Sequence, residues 1–188
     1  MEVTFLIPTL GRYSIHQALG SLRDQTNPNW KAIVVFDNHD ITISTDEKVS
    51  AYRFDKPLGQ GPGIVRNYAF PFVDTDWIAF LDDDDYVDKT YVDRIFHYAK
   101  ANYDLINFTY RDVNSGNTQP SPGMKVPQYC HIGMSVAVRT SLVRDNNIQF
   151  IPGSCEDWFF IDDCVQAGAK YILTGEILYF VGKRSGWR

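Results

Sequence analysis

The sequence is poor in cysteine and has no cysteine pattern. Its three residues, Cys130, Cys155 and Cys164, are odd in number and lack a Cys-x-x-Cys spacing. That indicates neither a disulfide framework nor a thiolate zinc centre, and it fits a reducing compartment. Long apolar runs are missing too: nothing approaches the roughly 18 residues of a membrane span. The opening Met1-Glu2-Val3-Thr4-Phe5-Leu6-Ile7 reaches Pro8 too early for a signal peptide. A soluble, cytoplasmic chain with no integral membrane segment is expected. Positive charge is scarce, with 18 Lys and Arg against 23 Asp and Glu. A general nucleic-acid binder needs basic faces, so no nucleic-acid partner is expected. The four histidines, His16, His39, His97 and His131, share no ligand spacing, and there is no internal repeat.

What is present is apolar and aromatic. The 188 residues are 44% hydrophobic and 14% aromatic, enough for one ordinary domain with its own core. The net charge of −5 is unevenly placed: residues 74–93 hold eight Asp and one Lys, which leaves the rest of the chain at +2. One dominant acidic patch is expected.

Strand and helix signals alternate. Val3-Thr4-Phe5-Leu6-Ile7 reads as a buried strand, and Ser14 precedes Ile15, Ala18, Leu19 and Leu22 at helical spacing. Residues 30–36 form a second strand that ends in Asp37-Asn38-His39-Asp40, and a short third lies near Val49 to Phe54. Pro62 suits the first turn of a helix carrying Val65, Tyr68, Ala69 and Phe72. Trp77-Ile78-Ala79-Phe80-Leu81 is a fourth strand, and Asp88 is placed to cap a helix with Val92, Ile95, Phe96 and Ala99 on its buried face. A fifth strand covers 105–110. Residues 111–130 are turn-rich and read as a hairpin or flap. Then come a strand near 135–138, a helix from about Glu156 to Ala167 stopped by Gly168, and strands near 170–173 and 176–181. The order predicts an α/β sandwich with a mainly parallel sheet, whose ligands collect at the carboxyl ends of the strands. The polar clusters at 8–12, 37–40 and 82–85 fall there.

Four consecutive carboxylates, Asp82-Asp83-Asp84-Asp85, follow a buried strand directly and repel one another unless a cation or solvent intervenes. Oxygen-only ligands suit Mg²⁺ or Mn²⁺, ions commonly held by one or two carboxylates plus substrate phosphates. The plain alternative is an exposed turn capping the next helix. A calcium EF-hand is excluded by Tyr86 and Val87, a G-x-G-x-x-G fingerprint by Ile64, and a P-loop by the missing Gly-Lys-Ser/Thr. Glu156 and Asp157 form a second acidic element where a helix starts. They are either ordinary first-turn residues, their ionised forms favoured by the helix dipole, or a general base. The basic tail Lys183-Arg184-Ser185-Gly186-Trp187-Arg188 could neutralise phosphate or be a solvated terminus.

In order and spacing, four segments resemble the family 2 type of nucleotide-sugar glycosyltransferase with the GT-A fold. They are Val3 to Thr9 with Ser21-Leu22-Arg23-Asp24-Gln25-Thr26, Gly61 to Arg66-Asn67, Trp77 to Asp85, and Glu156-Asp157-Trp158. The resemblance covers most of the chain. It implies one GT-A catalytic domain over 1–188, with a nucleotide-binding half at about 1–110 and an acceptor-binding half at about 111–188. It further implies that Thr9, Asp37 and Arg66 line the nucleobase pocket, that Asp82 and Asp83 lie on the donor side with Asp82 at the ribose, and that Asp84 with Asp85 holds Mn²⁺ or Mg²⁺. Asp157, less so Glu156, would be the base of an inverting transfer from a UDP-sugar to a hydroxyl on a glycan, a glycoprotein or another acceptor. Where the family carries two Asp after its second strand, this chain has Phe36-Asp37. The short chain resembles a minimal catalytic domain, either cut from a longer protein or of the compact kind found in large DNA viruses.

Two other readings compete. Strand-then-Asp-x-Asp also describes a haloacid-dehalogenase-like phosphohydrolase, with Asp82 as nucleophile and Asp84 as acid, although Tyr86 does not fit that pattern. A non-catalytic nucleotide-sugar binding module would keep the same residues.

Overall fold

The computed structural model describes residues 1–37, 41–121, 124, 128–129 and 131–182. His39, Cys130 and the basic tail 183–188, on which parts of the sequence reading rest, lie outside them.

Strand β1 (Val3–Thr9) is buried along its whole length, as a strand covered on both faces must be. Helix α1 (Ile15–Arg23) follows, then β2 (Trp30–Asp37), β3 (Val49–Phe54), α2 (Pro62–Ala69) and β4 (Trp77–Phe80). The chain continues through β5 (Tyr86–Val87), α3 (Tyr91–Lys100), β6 (Leu105–Asp112), β7 (Thr118–Gln119) and β8 (Val136–Arg139). It closes with α4 (Thr140–Asp145), α5 (Glu156–Gln166) and β9 (Tyr171–Val181).

Alternate residues of β1 feed two cores. Phe5 and Ile7 pack with Ile15, Leu19 and Leu22 of α1 and with Val92, Ile95 and Phe96 of α3. Leu6 faces the other way, into a cluster with Val65 and Ala69 of α2 and Phe160, Ile161 and Cys164 of α5. The result is a helix–sheet–helix sandwich of GT-A type. Its sheet order is β3-β2-β1-β4-β8-β6-β9-β5, with β7 paired to β6. The first four strands are parallel, as expected. Beyond β4 the sheet is mixed: β8 runs antiparallel to β4 and β6, while β6 and β9 are parallel. The halves anticipated at about 1–110 and 111–188 share this one sheet.

Four expectations are corrected. Asp88 does not cap α3: the N-cap is Thr90, whose N–H and hydroxyl donate to Asp88 Oδ1 at 2.9 and 2.6 Å. The two strands expected after α5 form the single β9. The acidic run is not one patch, because β4 separates Asp74 and Asp76 at its amino end from Asp82–Asp85 at its carboxyl end. Asp74 pairs with Lys31, and Asp76 with the chain's amino terminus. Finally, Cys155 is disulfide-bonded, whereas Cys164 is a buried free thiol.

Candidate active site

The acidic turn leaves the buried end of β4 and is held in shape by its own backbone, Asp85 N–H donating to the Asp82 carbonyl at 3.1 Å. Each of its carboxylates has a different environment. Asp83 points inward and is 1% exposed; it accepts the Thr9 hydroxyl at 2.6 Å and Arg12 Nη1 at 2.8 Å. Thr9 in turn accepts the Gly11 N–H at 2.9 Å, so the loop after β1 is locked to the turn. Asp84 meets Arg12 Nη1 at 3.5 Å. Burial raises the pKa of both groups; for Asp84 the charges of Asp82 and Asp83 add to the rise. Asp85 is pushed up to about 8, by burial and then by Asp82, and accepts the Gly182 N–H at 2.9 Å. Asp82 donates its N–H to the Tyr179 hydroxyl at 3.1 Å and binds Arg66 through its carboxylate.

Arg66 is the hub of the site. Its side chain is 1% exposed and its guanidinium lies over the rings of Phe150 and Phe80, 5.3 and 5.8 Å from their centroids. Nη2 donates to Asp82, Nη1 donates to Glu156 Oε1 at 3.2 Å, and Asp157 Oδ1 stands 3.8 Å away. Glu156 also accepts the Gly63 N–H at 3.2 Å, so both of its oxygens are occupied. A Cβ on residue 63 would lie 2.6 Å from Glu156 Oε2 and 2.7 Å from Phe150 Cβ, which is why a glycine stands there. Asp157 is less committed: it keeps 28% of its side-chain surface, facing a cavity and otherwise surrounded by protein. Burial pushes it up to about 7; Arg66 opposes the rise, and Asp82 and Glu156 add to it. The helix dipole expected to keep this first turn ionised is outweighed by desolvation.

The cavity, about 320 Å³, is lined by Arg12, Asp82, Asp84, Asp85, Asp157 and Tyr179 among others. The fold therefore brings both sequence-predicted acidic elements to one opening, although they lie some seventy residues apart. Thr9, Asp83 and Arg66 support the opening from behind. Asp37 stands apart: it is buried at the end of β2 and accepts the Leu58 N–H at 2.6 Å, which holds the loop before α2. Sequence reasoning missed Arg12, Tyr179 and Gly182. Arg12 lay in a polar cluster already marked, but an aromatic in a strand and a glycine after one carry no signal of their own.

Among the described residues no group of three or more His, Cys, Asp or Glu is placed to hold a metal ion. The donor set fits a shared site instead. Asp84 has no side-chain partner closer than Arg12 among the described residues, and a hard cation needs only one or two protein carboxylates when phosphates complete its shell.

A sandwich of this topology, with an acidic turn facing a helix-borne carboxylate across one cavity, defines the class of GT-A glycosyltransferases. The family profile "Glycosyl transferase family 2" matches residues 4–156, and the chain belongs to that family. Its membership sets aside the phosphohydrolase reading. A curated relative, the poly(ribitol-phosphate) beta-N-acetylglucosaminyltransferase TarS of Staphylococcus aureus (strain Mu50), is 26% identical over 99% of this chain and 36% of its own length. The putative glycosyltransferase EpsH of Bacillus subtilis is 29% identical over 57% of this chain and 33% of its own. Crystal structures of S. aureus TarS superpose with TM-scores of 0.78 for the protein and 0.77 for residues 1–349 in complex with UDP-GlcNAc, at 20% and 21% identity. They cover 97% and 99% of this chain, and 37% and 60% of their own. The chain thus spans about a third of the length of these curated relatives. No helix among the described residues is long and apolar enough to cross a membrane.

Proposed function

We propose that the chain is the catalytic core of an inverting, divalent-metal-dependent glycosyltransferase that moves a sugar from a UDP-sugar to a hydroxyl of a glycan, glycoprotein or other acceptor. The observation that carries this reading is the single cavity in which Asp157, the less committed carboxylate of its pair, faces Asp82 and Asp84. The relative crystallised with UDP-GlcNAc supports a uridine donor.

Asp157 takes the proton of the acceptor hydroxyl as its oxygen attacks the anomeric carbon, and the bond from that carbon to the diphosphate oxygen breaks on the opposite face. One displacement inverts the centre. Arg66 fixes Glu156 and limits how far the Asp157 pKa rises, so that the base is ionised near neutral pH. Asp82 faces the donor, in reach of a ribose hydroxyl. Asp84 would hold Mn²⁺ or Mg²⁺ against the diphosphate, and such an ion supplies charge stabilisation of the leaving group when bound.

The test is nucleoside diphosphate release from a panel of UDP-, GDP- and dTDP-sugars with Mn²⁺, Mg²⁺ or chelator, for wild type and Asp84→Ala. Metal-dependent release from one donor, lost in the variant, is the expected result. If no donor is bound or cleaved, the transferase reading falls. Binding without release across many acceptors leaves only a binding module.

A further inference from the structure

Four adjacent aspartates are more than one shared cation requires, and the structure gives them unequal freedom. We infer that Asp85 is not a metal ligand: together with Tyr179 and Gly182 it braces the acidic turn from β9 and so positions Asp84. This rests on the metal-dependent reading above.

Both ends of the turn are tied to β9. At its start, the buried Tyr179 hydroxyl accepts the Asp82 N–H at 3.1 Å and lies beside the Asp85 carboxylate. At its end, β5 pairs antiparallel with β9, Tyr86 opposite Phe180 and Val87 opposite Tyr179. The rings of Tyr86 and Phe180 stack there at 4.9 Å and 11°. One step further on, the Asp88 N–H donates to the Leu178 carbonyl at 2.8 Å.

Asp85 closes the brace. It is 5% exposed, and its Oδ1 accepts the Gly182 N–H at 2.9 Å. Gly182 lies so close beneath the turn that a Cβ there would stand 1.9 Å from the Asp84 carbonyl oxygen. Only glycine permits that approach. With Asp83 engaged by Thr9 and Arg12, Asp85 by Gly182 and one oxygen of Asp82 by Arg66, the turn offers the cavity the other face of Asp82 and, with only Arg12 at 3.5 Å beside it among the described residues, Asp84. Its direction is set by residues almost a hundred positions later in the chain. Tyr179 and Asp85 are thus positioning residues, comparable to the outer-shell partners that orient metal ligands elsewhere.

The experiment titrates Mn²⁺ into the protein with saturating UDP, by calorimetry or by relaxation of solvent protons, and records a melting curve for each variant. Asp84→Asn should abolish Mn²⁺ binding. Tyr179→Phe keeps the ring in the core but loses the hydroxyl, and should weaken Mn²⁺ about tenfold or more, the usual effect of losing an orienting partner. Gly182→Ala and Asp85→Ala should do the same. Asp85→Asn still offers an oxygen to the Gly182 N–H and should restore most of the affinity lost in Asp85→Ala. The inference is overturned if Asp85→Asn loses Mn²⁺ as completely as Asp84→Asn, which would make Asp85 a ligand. It is equally overturned if Tyr179→Phe binds Mn²⁺ like wild type. A wild-type protein that binds UDP without any Mn²⁺ response removes the metal reading and this inference with it. Failure to bind any nucleotide would instead sink the transferase reading itself.

Discussion

Glu156 has both oxygens occupied, by Arg66 and by the Gly63 N–H, whereas Asp157 meets Arg66 only at 3.8 Å and keeps a face on the cavity. Substituting the two should therefore separate chemistry from structure. Asp157→Asn should lower turnover by about 10²- to 10⁴-fold while UDP binding persists. Glu156→Gln should mainly cost stability, about 1.5–3 kcal/mol for a hydrogen bond to a charged group. Donor titrations and turnover on both variants check this, and intact turnover in a folded Asp157→Asn protein removes that residue from the mechanism. Arg12 has a different task. Its removal leaves Asp83 buried and unpaired, so Arg12→Met should destabilise by about 3–5 kcal/mol. Adding Asp83→Asn should recover much of that loss in chemical denaturation; if the double variant is no better than the single, the lock between the β1 loop and the turn is not what Arg12 supplies. Asp82–Asp85 and Glu156-Asp157 were legible in the sequence because carboxylates directly after an apolar strand, or at a helix start, stand out locally. Arg12 and Tyr179 were not, since their partners lie 71 and 97 positions away.

At the level of elements, α2 and α5 meet through Arg66 and Glu156, and Gly63 sets how closely. Alanine is worth about 1 kcal/mol over glycine inside a helix. Here that gain is outweighed, because the added Cβ would press on Glu156 Oε2 and on Phe150 Cβ. Gly63→Ala should destabilise by about 1–3 kcal/mol as an overpacking change. It should also slow turnover, since Arg66 rides on the same helix one turn later. Thermal melts and kinetics together check this, and a more stable, fully active variant would show that the two helices can separate without consequence. The long elements were readable from periodicity: α1 and α3 each bury the stripe their sequence announces, whereas α2 buries Val65 and Ala69 but leaves Tyr68 exposed and ends before Phe72, also exposed. β5, two residues long, and α4, six, are too short to leave a periodic signature. The mixed half of the sheet was not readable either, because strand direction depends on how β8 inserts between β4 and β6.

Across the whole molecule, the fold divides the acidic run: four of its carboxylates go to the site, and Asp157 and Glu156 join them from α5. Asp83, Asp84, Asp85, Glu156 and Asp157 all have raised pKa values, to about 8 for Asp85 and about 7 for Asp157. A raised carboxylate binds its proton more tightly folded than unfolded. Its contribution to stability is therefore complete below the unfolded value of 3.8 and is lost as pH rises through the folded one. Asp46 and Asp93, whose values are lowered, act with the opposite sign but only below that range. The ligand-free protein should thus become less stable between about pH 5 and 8, and Asp157→Asn, which cannot ionise there, should lose less over the same interval. A bound cation favours the ionised carboxylates, so Mn²⁺ with UDP should stabilise the protein more at pH 8 than at pH 5.5 and should release protons on binding. Calorimetry in buffers of different ionisation enthalpy counts those protons. If none is released and the wild-type and Asp157→Asn melting curves stay parallel from pH 5 to 8, the carboxylates of the cavity are already ionised in the free protein, and the site does not couple proton loss to donor binding.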